Sequence, residues 1–124
     1  MMMKKPVMAT RKPVLLPRRV VISRYQFGFR VRPGTFRVDP EFHLGPAFRL
    51  TNATGLRVTV TFPEGLEVVD SRGEKVVRFS LPDGDDKDLS VRTRREGRWE
   101  YAVSIPDALI EASGHSRPDI EIVK

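Results

Sequence analysis

The feature that most constrains this chain is an alternation of apolar and polar residues at period two, repeated in short runs from Val14 onward. The clearest runs are Tyr25, Phe27, Phe29, Val31; Leu56, Val58, Val60, Phe62; and Trp99, Tyr101, Val103, Ile105, with weaker ones at 48–50, 77–81, 89–93 and 120–122. Successive side chains of a strand point to opposite faces, so each run buries one face and wets the other. Turn signals separate the runs: Pro33-Gly34, Asp39-Pro40, Gly45-Pro46, Asn52 to Gly55, Pro63-Glu64-Gly65, Arg72-Gly73, Pro82-Asp83-Gly84 and Glu96-Gly97. Glycine reaches positive φ, and proline presets a turn while removing a ladder donor, so each pair ends a strand for a physical reason.

The pattern predicts an all-β fold of about seven to nine short strands. A one-sided sheet must cover its apolar face, and two stacked sheets in a Greek-key sandwich do so at this length. One short helical turn is expected over 107–112, capped by Asp107 and ended by Gly114, in the loop before the last strand. With 124 residues the chain fits one domain, read as 14–124, preceded by a flexible basic arm over 1–13.

Charge is unevenly placed. Residues 1–40 carry ten cationic side chains and one anionic, whereas 41–124 carry twelve and fifteen. The net charge of +6 thus belongs to the N-terminal third, above all to Lys4, Lys5, Arg11, Lys12, Arg18 and Arg19. Met1-Met2-Met3-Lys4-Lys5 has the start of a secretory signal, but prolines and cations interrupt any apolar run of the length such a signal needs. No run of 18 apolar residues occurs either, so the reading is cytoplasmic with no membrane partner.

The most specific pattern is C-terminal: Gly97-Arg98-Trp99-Glu100-Tyr101-Ala102-Val103, a loop, then Gly114-His115-Ser116-Arg117-Pro118-Asp119-Ile120-Glu121-Ile122-Val123. It resembles the closing strands of small cupredoxin-like domains. Phe48-Arg49-Leu50-Thr51-Asn52, followed by Gly55-Leu56-Arg57-Val58-Thr59-Val60, is similar to that family's strand, Asn, turn and next strand, in a spacing that immunoglobulin-like sandwiches imitate. The resemblance implies a copper-less member. A blue-copper centre takes two histidines, a cysteine and usually a methionine, but there is no cysteine, the four methionines lie between Met1 and Met8, and the closing loop offers only His115.

Other chemistry finds little footing. His43 and His115 would both have to converge with a carboxylate such as Glu41 or Asp119 to hold a metal, and no close-spaced ligand motif accompanies them. Asp83-Gly84-Asp85-Asp86-Lys87-Asp88 fails the EF-hand register, with Lys87, Asp88 and Arg94 at the fifth, sixth and twelfth positions, and reads as a solvated acidic turn. Ser113, His115, Ser116 and Asp119 have the letters of a triad without its spatial logic. No catalytic residue, metal or cofactor is assigned. Arg24, Arg30, Arg32 and Arg37 interleave with aromatics that strand parity sends inward, which leaves the arginines as a wet face.

Two functions are therefore expected. The first is a non-enzymatic interaction or assembly module that docks on another protein or a second copy through Val14, Leu15, Leu16, Arg18, Arg19, Val20 and Ile22, an apolar and basic stretch broken by Pro17. The alternative is binding of nucleic acid or another polyanion through Lys4, Lys5, Arg11, Lys12, Arg18 and Arg19.

Overall fold

A computed structural model describes residues 17–25, 28–39, 46–106, 110–111 and 118–123. Every element that can be bounded among them is a strand, and Pro106 alone is in 3-10 conformation. The first sheet has five strands in the order β2-β1-β4-β8-β6: β1 (Arg18–Tyr25), β2 (Gly28–Arg32), β4 (Phe48–Ala53), β8 (Asp86–Val91) and β6 (Val68–Val69). A four-stranded sheet follows the order β11-β10-β5-β7, from β5 (Val58–Thr61), β7 (Arg78–Leu81), β10 (Ala102–Ile105) and β11 (Ile110–Glu111). A three-stranded sheet sets β12 (Asp119–Ile122) between β3 (Thr35–Val38) and β9 (Gly97–Glu100). The two smaller sheets share one stretch of chain, because β9 runs into β10 with only Tyr101 between them.

The core lies between the five-stranded sheet and this second layer. Phe48 of β4 packs on Phe36 of β3 at 4.9 Å between ring centroids, and reaches Phe62 at 6.4 Å. Phe62 continues to Tyr101 at 5.8 Å. Val20, Ile22, Leu50, Val58, Val60, Leu89, Val103, Ile105 and Ile120 are fully buried around them. Each such side chain contributes roughly 1.5–3 kcal/mol through burial, which is what the period-two patterning provides.

Several sequence expectations change. Tyr25 to Val31 is not one strand: β1 pairs antiparallel with β2, Tyr25 opposite Gly28 and Arg24 opposite Phe29. Cross-strand partners share a face, so Tyr25 lies on the outer face with Gly28 and Arg30, while Phe29 and Val31 point inward. A connection of two residues inverts parity without disturbing the alternation, and the run therefore reads as continuous in sequence. The run from Trp99 is divided at Tyr101 between two sheets, and the strands number twelve among the described residues. Within the segment expected as a helical turn, Ile110 and Glu111 instead pair with Ile105 and Ser104. The residues on either side of that pair, 107–109 and 112–117, lie outside the described part.

Candidate functional site

The N-terminal segment enters the body through its first strand. Pro17 stands just before β1, and Arg18 N–H donates to the Ala47 carbonyl at 3.0 Å. From there β1 pairs parallel with β4 on one side and antiparallel with β2 on the other, an inner position with both ladder edges used. Of the seven residues expected to meet a partner, Val20 and Ile22 are fully buried in the chain's own core. This corrects their assignment to a docking patch. Apolar β-branched residues at alternate positions were indistinguishable in sequence from a segment seeking another chain. Arg18 and Arg19 are exposed at the mouth of the strand. Val14, Leu15, Leu16, Lys4, Lys5, Arg11 and Lys12 lie outside the described residues.

The outward face of the five-stranded sheet follows from the same parity. Arg19, Val21, Ser23 and Tyr25 of β1 stand beside Arg30 and Arg32 of β2 and Arg49, Thr51 and Ala53 of β4. Strands β1, β2 and β4 together hold six arginines and no carboxylate. The carboxylates of this face are on β8, where Asp88 forms a two-pronged pair with Arg49 (2.6 and 3.2 Å) and Asp86 accepts from Thr51 Oγ1 at 2.8 Å. Asp88 thereby holds the Arg49 guanidinium in its charged form. Among the described residues, Arg18, Arg19, Arg30 and Arg32 have no carboxylate within 4 Å. The Arg30 guanidinium lies over the Tyr25 ring, 4.1 Å from its centroid, with Nε shielded from solvent and unpartnered. Tyr25 as a residue is 41% exposed.

The opposite side of the molecule is balanced. On β3, β12 and β9, Arg37 pairs with Glu121 at 3.2 Å, and Arg98 stands 3.9 Å from Glu121 and 4.0 Å from Asp119. The arginines that interleave with aromatics in the sequence thus divide into three roles. Arg30 and Arg32 form the wet face, Arg37 is paired, and Arg24 leaves the sheet to donate from Nε to the Thr54 carbonyl at 2.7 Å.

Next to β8, Arg49, Asp70, Ser71, Arg72, Asp86, Lys87 and Asp88 line an open depression of about 410 Å³. Its carboxylates are already engaged. Asp70 accepts the backbone N–H groups of Arg72 and Glu74 at 2.9 and 3.0 Å, bonds that hold its carboxyl below the ordinary range. In the acidic turn, Asp83 accepts Gly55 N–H at 2.8 Å. No group of three or more metal-ligating side chains occurs among the described residues. His43, His115, Ser113, Ser116 and Glu41 lie outside them. No helix among those residues is long and apolar enough to cross a membrane.

Two buried polar centres went unnoticed as sites in sequence. Asn52, on an inward position of β4, donates from Nδ2 to the carbonyls of Leu56 (2.7 Å) and Leu81 (2.9 Å), and accepts from Thr54 N–H at 3.0 Å. Thr54 Oγ1 lies 2.8 Å from both Asn52 Oδ1 and the Leu56 carbonyl, and accepts Leu56 N–H at 3.0 Å. The turn closes at Gly55 with φ of 90°, where an added Cβ would sit 3.3 Å from the Arg24 guanidinium. At the second centre, the hydroxyl of buried Tyr101 and the Oδ1 of buried Asp119 have no hydrogen-bond partner among the described residues. Burial, and secondarily the Asp119 charge, push the Tyr101 phenol well above its ordinary value.

The sequence matches no protein-family model and no curated protein.

Proposed function

We propose that this protein is a non-enzymatic interaction module, in which a rigid β-sandwich carries an N-terminal arm that engages another protein or a second copy. The observation that carries this reading is the seat of β1. An inner strand, bonded on both sides, anchors Arg18–Tyr25 in the body and so fixes the point at which residues 1–16 join it. The contact patch reduces to Val14, Leu15 and Leu16 with Arg18 and Arg19. The reading calls for no cofactor and places the protein in the cytoplasm.

The finer fold that goes with it is a copper-less, cupredoxin-like Greek key. Its support is the pair of parallel ladders, β1 with β4 and β3 with β12, since immunoglobulin-like sandwiches are built from two antiparallel sheets.

The test is the mass in solution of the full chain and of its Leu15→Asp/Leu16→Asp variant, at low and high salt. A salt-resistant oligomer or copurifying protein that the variant loses is the expected result. An unchanged mass and unchanged associations would rule the arm out. Removing residues 1–22 is not an equivalent experiment, because it also cuts Val20 and Ile22 from the core.

Binding of nucleic acid or another polyanion is the second reading. It is favoured by Arg18 and Arg19, which have no carboxylate partner among the described residues and continue the charge of Lys4, Lys5, Arg11 and Lys12 along the sequence.

A further inference from the structure

We infer that the outward face of strands β2, β1 and β4 binds single-stranded nucleic acid, with Arg19, Arg30 and Arg32 meeting phosphates and Tyr25 offering its ring to a base. The inference rests on the polyanion reading but moves the binding from the arm to a sheet face.

Charge complementarity comes first. Six arginines and no carboxylate occur on three adjacent strands, and the carboxylates of the neighbouring β8 are spent on Arg49 and Thr51. The face is therefore graded, basic at the β2 edge and neutralised toward β8, so an anionic chain is drawn to the β2 side. Along β2, Arg30 and Arg32 stand two residues apart, about 7 Å, and the cross-strand neighbours are about 4.8 Å away. Val21, Ser23 and Ala53 lie between the cations and keep the floor low enough for a backbone to lie along it.

The aromatic group decides the kind of polyanion. Tyr25 is a large exposed ring on a solvated strand face, diagonal to Arg30, whose guanidinium already stacks on it. An arginine beside an exposed ring is a surface on which an unstacked base settles, and bases are unstacked in single strands. A duplex hides its bases, and among the described residues there is no helix to enter its major groove. An acidic peptide would use the arginines and gain little from the ring.

The experiment is fluorescence anisotropy of labelled oligothymidine with the full-length chain across a salt series, folding being checked by circular dichroism. Arg30→Gln/Arg32→Gln is expected to weaken binding at least tenfold and to lower the slope of log affinity against log salt by about 1.4, at about 0.7 per lost phosphate contact. Tyr25→Ala is expected to weaken it at least about fivefold with the slope unchanged. Arg37→Gln, on the balanced side, leaves both unchanged. If the β2 double variant binds like the parent while Lys4→Gln/Lys5→Gln/Arg11→Gln/Lys12→Gln does not, the sheet face is wrong and the polyanion reading survives through the arm. No binding at low salt overturns both. Equal affinity for duplex or for polyglutamate overturns the choice of a single strand.

Discussion

Asn52 and Tyr101 are both buried polar residues at junctions of the sandwich, yet they are treated oppositely by their surroundings. Both donors and the oxygen of the Asn52 amide are engaged, and its bonds tie β4 to the following turn and to β7. The Tyr101 hydroxyl and the neighbouring Asp119 Oδ1 are as well hidden and have no partners among the described residues. A satisfied buried amide fixes one arrangement of the chain around it, whereas an unsatisfied hydroxyl only costs desolvation. Burial alone does not tell which polar residues hold this fold together; the partner count does.

Substitutions can break that contrast. Asn52→Leu keeps the number of side-chain heavy atoms but takes the amide's bonds from the Leu81 carbonyl and the Thr54 N–H, while the Thr54 hydroxyl and the Leu56 carbonyl still have each other. It should lower the unfolding free energy by about 3 kcal/mol, read from urea denaturation. A smaller effect follows from titration. The Tyr101 phenol is raised in the folded protein, so the folded state keeps its proton where the unfolded state has lost it. Stability is whole below the unfolded value, near pH 10, and falls by about 1.4 kcal/mol per pH unit above it. That alkaline limb should shrink in Tyr101→Phe. At neutral pH the same variant should shift stability by less than about 1 kcal/mol, toward greater stability, because it removes only a hydroxyl with no partner among the described residues. If Tyr101→Phe cost as much as Asn52→Leu, the contrast would be wrong.

The two centres were also unequally legible. Asn52 sits in a run of strand, Asn, turn and next strand that is visible without coordinates, and its bonding is local, most of it reaching no further than Leu56. Tyr101 lies in a run that reads as one strand. Its setting depends on Pro118, whose carbonyl accepts the Tyr101 N–H at 3.0 Å, and period-two patterning carries no information about such a partner. The basic face was half legible for a related reason. Parity correctly sent Arg30 and Arg32 outward and Phe29 inward, but it placed Tyr25 in the core, because a hairpin of two connecting residues flips the faces while preserving the alternation. Val20 and Ile22 failed differently. Their pattern was right for a buried strand, and only the pairing with β4, distant in sequence, showed whose core they fill.

The parallel pairing of β3 with β12 also governs how the sandwich is reached. Arg37 and Glu121, bonded across that ladder, are 84 residues apart in the chain, and β1 likewise waits for β4. Contacts this distant give no reward until the intervening loops have been closed, which places the folding of such topologies roughly in the millisecond-to-second range. Until that ladder forms, β3 lacks the strand that pairs with it. An open apolar edge is a template for intermolecular pairing, so the yield of refolded protein should depend on concentration during those early moments more than on the strength of the finished structure.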